Sequence, residues 1–76
     1  MTLQSALREA LLICREESGL SQEKMADICD ISVRYYRKLE AGDGNPSLKV
    51  LAKLHKEFRL DLNELADRYA ASSDWE

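Results

Sequence analysis

Between Ser21 and Gly42 the chain carries two short helical patterns with only Asp30 and Ile31 separating them. The first opens on Ser21, a good N-cap, and sets Met25, Ala26 and Cys29 on one face. The second opens on Ser32, runs to Ala41 and closes at Gly42, where glycine supplies the left-handed backbone that follows many helix ends. A link this short cannot fold two helices back against each other. It fixes a steep angle between them and leaves the outer face of the second uncovered.

The remainder of the chain reads as support for that pair. A first helix is predicted from Thr2, as N-cap, to Ser18, with Leu3, Leu7, Ala10, Leu11 and Cys14 at helical spacing and Gly19 as terminator. A fourth, from Ser47 to Phe58, turns Leu48, Leu51, Ala52, His55 and Phe58 inward. A weaker break near Arg59–Asp61 precedes a fifth, Leu62 to Tyr69, whose inner face is Leu62, Leu65, Ala66 and Tyr69. Twelve Leu and eight Ala against six β-branched residues favour helix, and no segment alternates long enough for a strand. The reading is all-α, a compact five-helix bundle over residues 1–69 with 70–76 as a tail. At 76 residues the core is small, and pairing with a second subunit would help to stabilise it.

Several functions are excluded by the same residues. No uncharged run exceeds seven residues, so no membrane span is expected. Arg8 and Glu9 interrupt any signal-peptide core, which makes the cytoplasm the default location. Cys14 and Cys29 sit among apolar neighbours, and with the single His55 they fit no common zinc spacing, so both read as reduced, buried small hydrophobes. Without a nucleophile–base pair or a metal set, the chain is not expected to be an enzyme, nor to take a cofactor or small-molecule substrate.

The third helix carries the chemistry. At about 100° per residue, Val33, Arg37, Ala41, Arg34 and Lys38 spread over one side, while Tyr36 and Leu39 lie on the other. The first set suits DNA: Arg and Lys match guanine edges or phosphates, and Val suits a thymine methyl. A steeply angled helix pair with such a face is helix-turn-helix geometry, whose second member enters a major groove. The formal charge of −3 conceals an uneven distribution, with +2 over residues 31–42 and +3 over 47–60. A local basic patch attracts phosphates even on an anionic molecule. Within the fourth helix Lys49, Lys53 and Lys56 form one stripe, readable as a solvated face. Lys49, in the first turn where the helix dipole disfavours a cation, is its best phosphate candidate.

The order Arg15, Gly19-Leu20-Ser21-Gln22, Ala26, Ile31-Ser32, Leu39-Glu40-Ala41-Gly42 and Asn45-Pro46-Ser47-Leu48 resembles the Cro/CI-like helix-turn-helix domains of phage repressors and bacterial regulators, the xenobiotic-response-element type. The resemblance covers about residues 7–66 and implies a sequence-specific, double-stranded DNA-binding transcriptional regulator. It places Ser21 at the DNA backbone, Gln22 at the backbone or an edge base, and Val33, Arg34, Arg37 and Lys38 in the groove. Ser32 and Tyr35 fall where members donate hydroxyls to phosphate, although Tyr35 also reads as packing against the second helix. Asn45 lies in a loop that meets the backbone, or is a turn residue before Pro46. Arg15 and Glu40 correspond to an inward salt bridge that serves stability, while Ala26 is small so that two helices can cross closely.

One such domain reads few base pairs, so a homodimer on a palindromic operator is expected. Leu60, Leu62, Tyr69 and Trp75 are candidate dimer contacts, with Leu62 also readable as core and Trp75 as tail disorder. Three positions depart from the family pattern. Asp30 replaces the usual turn glycine. Tyr36 replaces a β-branched core residue, implying a roomier pocket or a hydroxyl reaching the surface, and Asp43 puts a negative charge in the loop. Asp30, Asp43 and the acidic total favour a rival reading, a protein-interaction module such as an antitoxin, which the basic third helix opposes.

Overall fold

The computed structural model describes residues 3–71. They form five helices: α1 (Leu3–Ser18), α2 (Gln22–Cys29), α3 (Val33–Ala41), α4 (Leu48–Phe58) and α5 (Leu62–Ala70). Thr2, the side chain of Leu3 and Trp75 lie outside what is described. No helix is long and apolar enough to cross a membrane among the described residues.

Local chemistry sets the boundaries. The side chains of Ser21, Ser32, Ser47 and Asp61 each accept a hydrogen bond from the backbone N–H three residues on, at 3.0–3.2 Å. Each thereby satisfies one of the N–H groups that a helix start leaves unpaired. After α2, Asp30 adopts φ 58° and donates its N–H to the Asp27 carbonyl, while Ile31 donates to Ala26. After α3, Gly42 takes φ 81°, and its N–H and that of Asp43 close on Leu39 and Lys38. These paired bonds satisfy the last carbonyls of each helix and turn the chain sharply. Asp30 performs the usual glycine's task at the cost of a Cβ in the left-handed region.

α1 packs against α3 and α5, and α2 packs against α3 and α4. The core between them is Ala6, Leu7, Leu11 and Cys14 from α1, Met25, Ala26 and Cys29 from α2, Tyr36 and Leu39 from α3, and Val50, Leu54, Leu60 and Leu65 beyond. The expected inner faces of α2 and α3 are therefore present, and α1 adds Ala6 to its own. Cys14 and Cys29 are buried and unbridged. Desolvation, the largest cause, raises both thiols above their ordinary range, the inert condition expected of small apolar fillers.

Four expectations are corrected. The inner face of α4 is Val50 and Leu54, with Leu51 and Phe58 partly buried, whereas Leu48 is 79% exposed and Ala52 and His55 face solvent. Both stripes satisfy helical spacing, and docking on α2 selects the one that keeps an imidazole out of the core. His55 instead donates Nδ1–H to the Leu60 carbonyl at 2.9 Å, closing the end of α4. On α5, Ala66 is exposed. Leu60, a candidate dimer contact, is core, because Arg59 at φ 58° reverses the chain and drops it inward. Tyr36 is 1% exposed, so its hydroxyl does not reach the surface, which one of the two alternatives for it allowed.

Candidate nucleic-acid interface

α3 divides as its sequence requires. Tyr36, Leu39 and Glu40 are buried, while Arg34, Arg37 and Lys38 are exposed on the opposite side. Val33 sits at the boundary, half-buried against the core. It is adjacent to Glu40 around the helix, so only part of its surface remains available to a groove.

The buried side anchors the helix. Arg15 Nη2 meets Glu40 Oε1 at 2.8 Å, and Arg15 Nε donates to the same carboxylate at 2.9 and 3.2 Å. The Glu40 side chain is only 5% exposed, so a charge taken out of water is paired by a geometrically matched fork. That hydrogen bond, then the carboxylate's charge, raises the Arg15 guanidinium above its ordinary range. The Tyr36 hydroxyl lies buried and has no hydrogen-bond partner among the described residues. Its phenol is pushed far above the ordinary tyrosine range, chiefly by burial and then by the neighbouring Glu40.

Two further contacts set α3 against its surroundings. The Tyr35 hydroxyl donates to the Asn45 carbonyl, joining α3 to the loop before α4. Asn45 Oδ1 accepts from Gln4 Nε2 at the start of α1. Tyr35 thus binds the loop rather than only packing on α2, and Asn45 is held from both sides. Gly44 lies in the same loop, buried, where an added Cβ would stand 3.0 Å from Leu39 Cδ2 and 3.3 Å from its nitrogen.

The outer side is a network of exposed polar groups. Arg37 Nε donates to Gln22 Oε1 at 3.2 Å, and Arg37 Nη2 pairs with Glu23 Oε1 at 2.8 Å. This brings the start of α2 and the middle of α3 together. Ser21 and Ser32 already accept from their own helices, which leaves each hydroxyl hydrogen free to donate. Lys49 Nζ lies 3.6 Å from Asp30 Oδ2, so the α4 cation is drawn to the turn between α2 and α3. Gln4, Glu23 and Gly44 were not singled out by sequence. Gln4 and Glu23 act through Asn45 and Arg37, partners distant in the chain, whereas Gly44 acts on the nearby Leu39. Glu23, acidic beside a basic helix, and Gly44, a breaker between α3 and α4, left a sign in the sequence.

A separate open cleft of about 170 Å³ is lined by Ile13, Cys14, Phe58, Leu60, Leu65 and Arg68, among others, and includes no residue of the α3 face.

Comparison with known proteins decides the family, because the helix-turn-helix family model matches residues 11–65. The chain belongs to the helix-turn-helix family. This helix-turn-helix chain is 31% identical over 70 residues to the cryptic phage CTXphi transcriptional repressor RstR of Vibrio cholerae, covering 92% of this chain and 62% of that protein. It is 46% identical over 46 residues to the SPbeta prophage-derived uncharacterized HTH-type transcriptional regulator YonR of Bacillus subtilis, covering 60% of this chain and 43% of that one. With the HTH-type transcriptional regulator DdrOP3 of Deinococcus deserti it shares 36% identity over 61 residues, 80% of this chain and 47% of the relative. The chain therefore spans less than two thirds of the length of each. No solved structure matches significantly.

Proposed function

We propose that this chain is a sequence-specific, double-stranded DNA-binding transcriptional regulator that places α3 in the major groove, and that it is not an enzyme. The observation that carries the reading is the division of α3. Arg34, Arg37 and Lys38 stand exposed on a helix whose other side is anchored by Tyr36, Leu39 and Glu40. Cations on a rigid, outward helix suit a groove between two phosphate backbones. Membership of the helix-turn-helix family and relatives named as transcriptional repressors and regulators support it.

In this reading, Ser21, Gln22, Ser32 and Lys49 hold phosphates, with the Tyr35–Asn45 bridge setting the loop's approach. Arg34, Arg37, Lys38 and the exposed part of Val33 read base edges. The chain acts in the cytoplasm as a homodimer on a palindromic operator, Leu62 and Tyr69 remaining as candidate contacts. Residues 1–69 form the DNA-binding domain.

Selection of bound sequences from random duplexes, followed by anisotropy titration at rising salt, tests the proposal. A defined palindromic preference and a steep fall in affinity with salt are expected, the log–log slope being about −0.9 per phosphate contacted. Absence of duplex binding at low salt would overturn it and favour a protein-interaction module.

A further inference from the structure

We propose that Glu23, outside the DNA-contacting set named above, is a specificity-determining residue. It holds Arg37 by one edge of the guanidinium, so that the other edge reads a pair of acceptors on the duplex, and it penalises sites that lack that pair. The inference rests on the DNA-binding reading.

Guanidinium geometry is the starting point. Nε–H and the nearer hydrogen of Nη2 form one planar edge, and that edge is taken by Gln22 Oε1 at 3.2 Å and Glu23 Oε1 at 2.8 Å. The end edge, built from Nη1 and the second hydrogen of Nη2, has no acceptor among the described residues. It is the two-donor fork that matches guanine O6 and N7, or two oxygens of one phosphate. Two successive α2 residues therefore fix which edge of Arg37 faces outward before any ligand arrives.

Gln22 is constrained by the same bond. With one lone pair of Oε1 taken by Arg37, the Nε2 hydrogens are the donors the amide keeps for the duplex, and only one acceptor site remains beside them. The Gln22–Arg37 pair is thus richer in donors than in acceptors.

The Glu23 carboxylate supplies the repulsive element. The two side chains are 53% and 64% exposed, so the bond adds little to folding in water. A docked duplex excludes that water and brings phosphates near the carboxylate. Where Arg37 finds two aligned acceptors, it keeps Glu23 paired and the complex gains. Where it is drawn off to a lone phosphate, Glu23 is left desolvated beside like charge.

The test uses the full chain as wild type, Glu23→Gln, Arg37→Lys and the double variant, each titrated against the wild type's selected duplex and a scrambled one. Base-preference profiles are taken for each variant. Glu23→Gln is expected to bind the scrambled duplex more tightly and to lose about tenfold in the selected-to-scrambled ratio, the scale of one bidentate contact. In the Arg37→Lys background the same change is expected to have no further effect on the ratio. Preference lost at one base pair identifies a guanine edge as the partner of Arg37, whereas loss spread evenly over positions marks a phosphate contact, which carries no sequence information, and overturns the inference. An unchanged ratio in Glu23→Gln overturns the inference while leaving DNA binding intact. A wild type that binds neither duplex overturns the DNA-binding reading and this inference with it.

Discussion

The Arg15 guanidinium meets the Glu40 carboxylate at 2.8 Å, tying the last turn of α1 to the last turns of α3. Glu40 is the buried partner and Arg15 the one within reach of water, with side-chain exposures of 5% and 35%. Removing Arg15 leaves the Glu40 carboxyl group buried without its partner, which costs stability. Arg15→Ala should lower Tm by several degrees, more than Glu9→Ala, which cuts only an exposed pair with Arg68. Thermal melts followed by circular dichroism check this. If Tm held while DNA binding vanished, Arg15 would belong to the interface instead.

Arg34 is the opposite case, an exposed residue on the outer face of α3. Arg34→Ala should weaken binding to the selected duplex by about 1–3 kcal/mol, relax preference at one position and leave Tm unchanged. An unaltered preference profile would remove Arg34 from the base-reading set.

Tyr36 holds a ring in the core and a hydroxyl that has no hydrogen-bond partner among the described residues. Tyr36→Phe should leave stability unchanged or raise it by up to about 1 kcal/mol, since a desolvated, unpaired group is deleted without a cavity. The phenol also predicts a pH dependence. Its folded pKa lies above the ordinary value of 10.0. The unfolded chain therefore releases this proton first, and stability present below that pH falls as pH rises beyond it. Urea midpoints across the alkaline range should decline less steeply in Tyr36→Phe; parallel curves would refute the assignment.

Asp30 carries a Cβ at φ 58° and a carboxylate 3.6 Å from Lys49. Asp30→Gly should stabilise by about 0.5–1 kcal/mol, less than the full left-handed penalty because glycine also frees the unfolded chain. It releases Lys49 as well, so duplex affinity should rise, most at low salt. A fall in both quantities would mean that the Asp30–Lys49 pair outweighs the backbone strain.

Gly44 is buried against Leu39. Gly44→Ala presses a methyl group on the Leu39 backbone nitrogen, which cannot yield as a side chain could, and should cost about 1–2 kcal/mol. Gly19→Ala is the control for space, since nothing lies within 4 Å there and only the left-handed backbone opposes it. A urea midpoint of Gly44→Ala equal to that of the wild type would show that the loop moves aside.

Local patterns decided the helices and where they end. Ser21, Ser32, Ser47, Asp30 and Gly42 act within a turn of themselves, through bonds that depend on neighbours in the chain. The split of α3 into buried and exposed sides was likewise legible, because its apolar residues allow one packing face. Tertiary structure decided what involves a partner far away. It chose Val50 and Leu54 over the competing stripe of α4, made Leu60 core, and joined Arg37 to Gln22 and Glu23. Helical spacing determines which residues share a face; the neighbouring helices determine which face is covered and what the exposed charges touch.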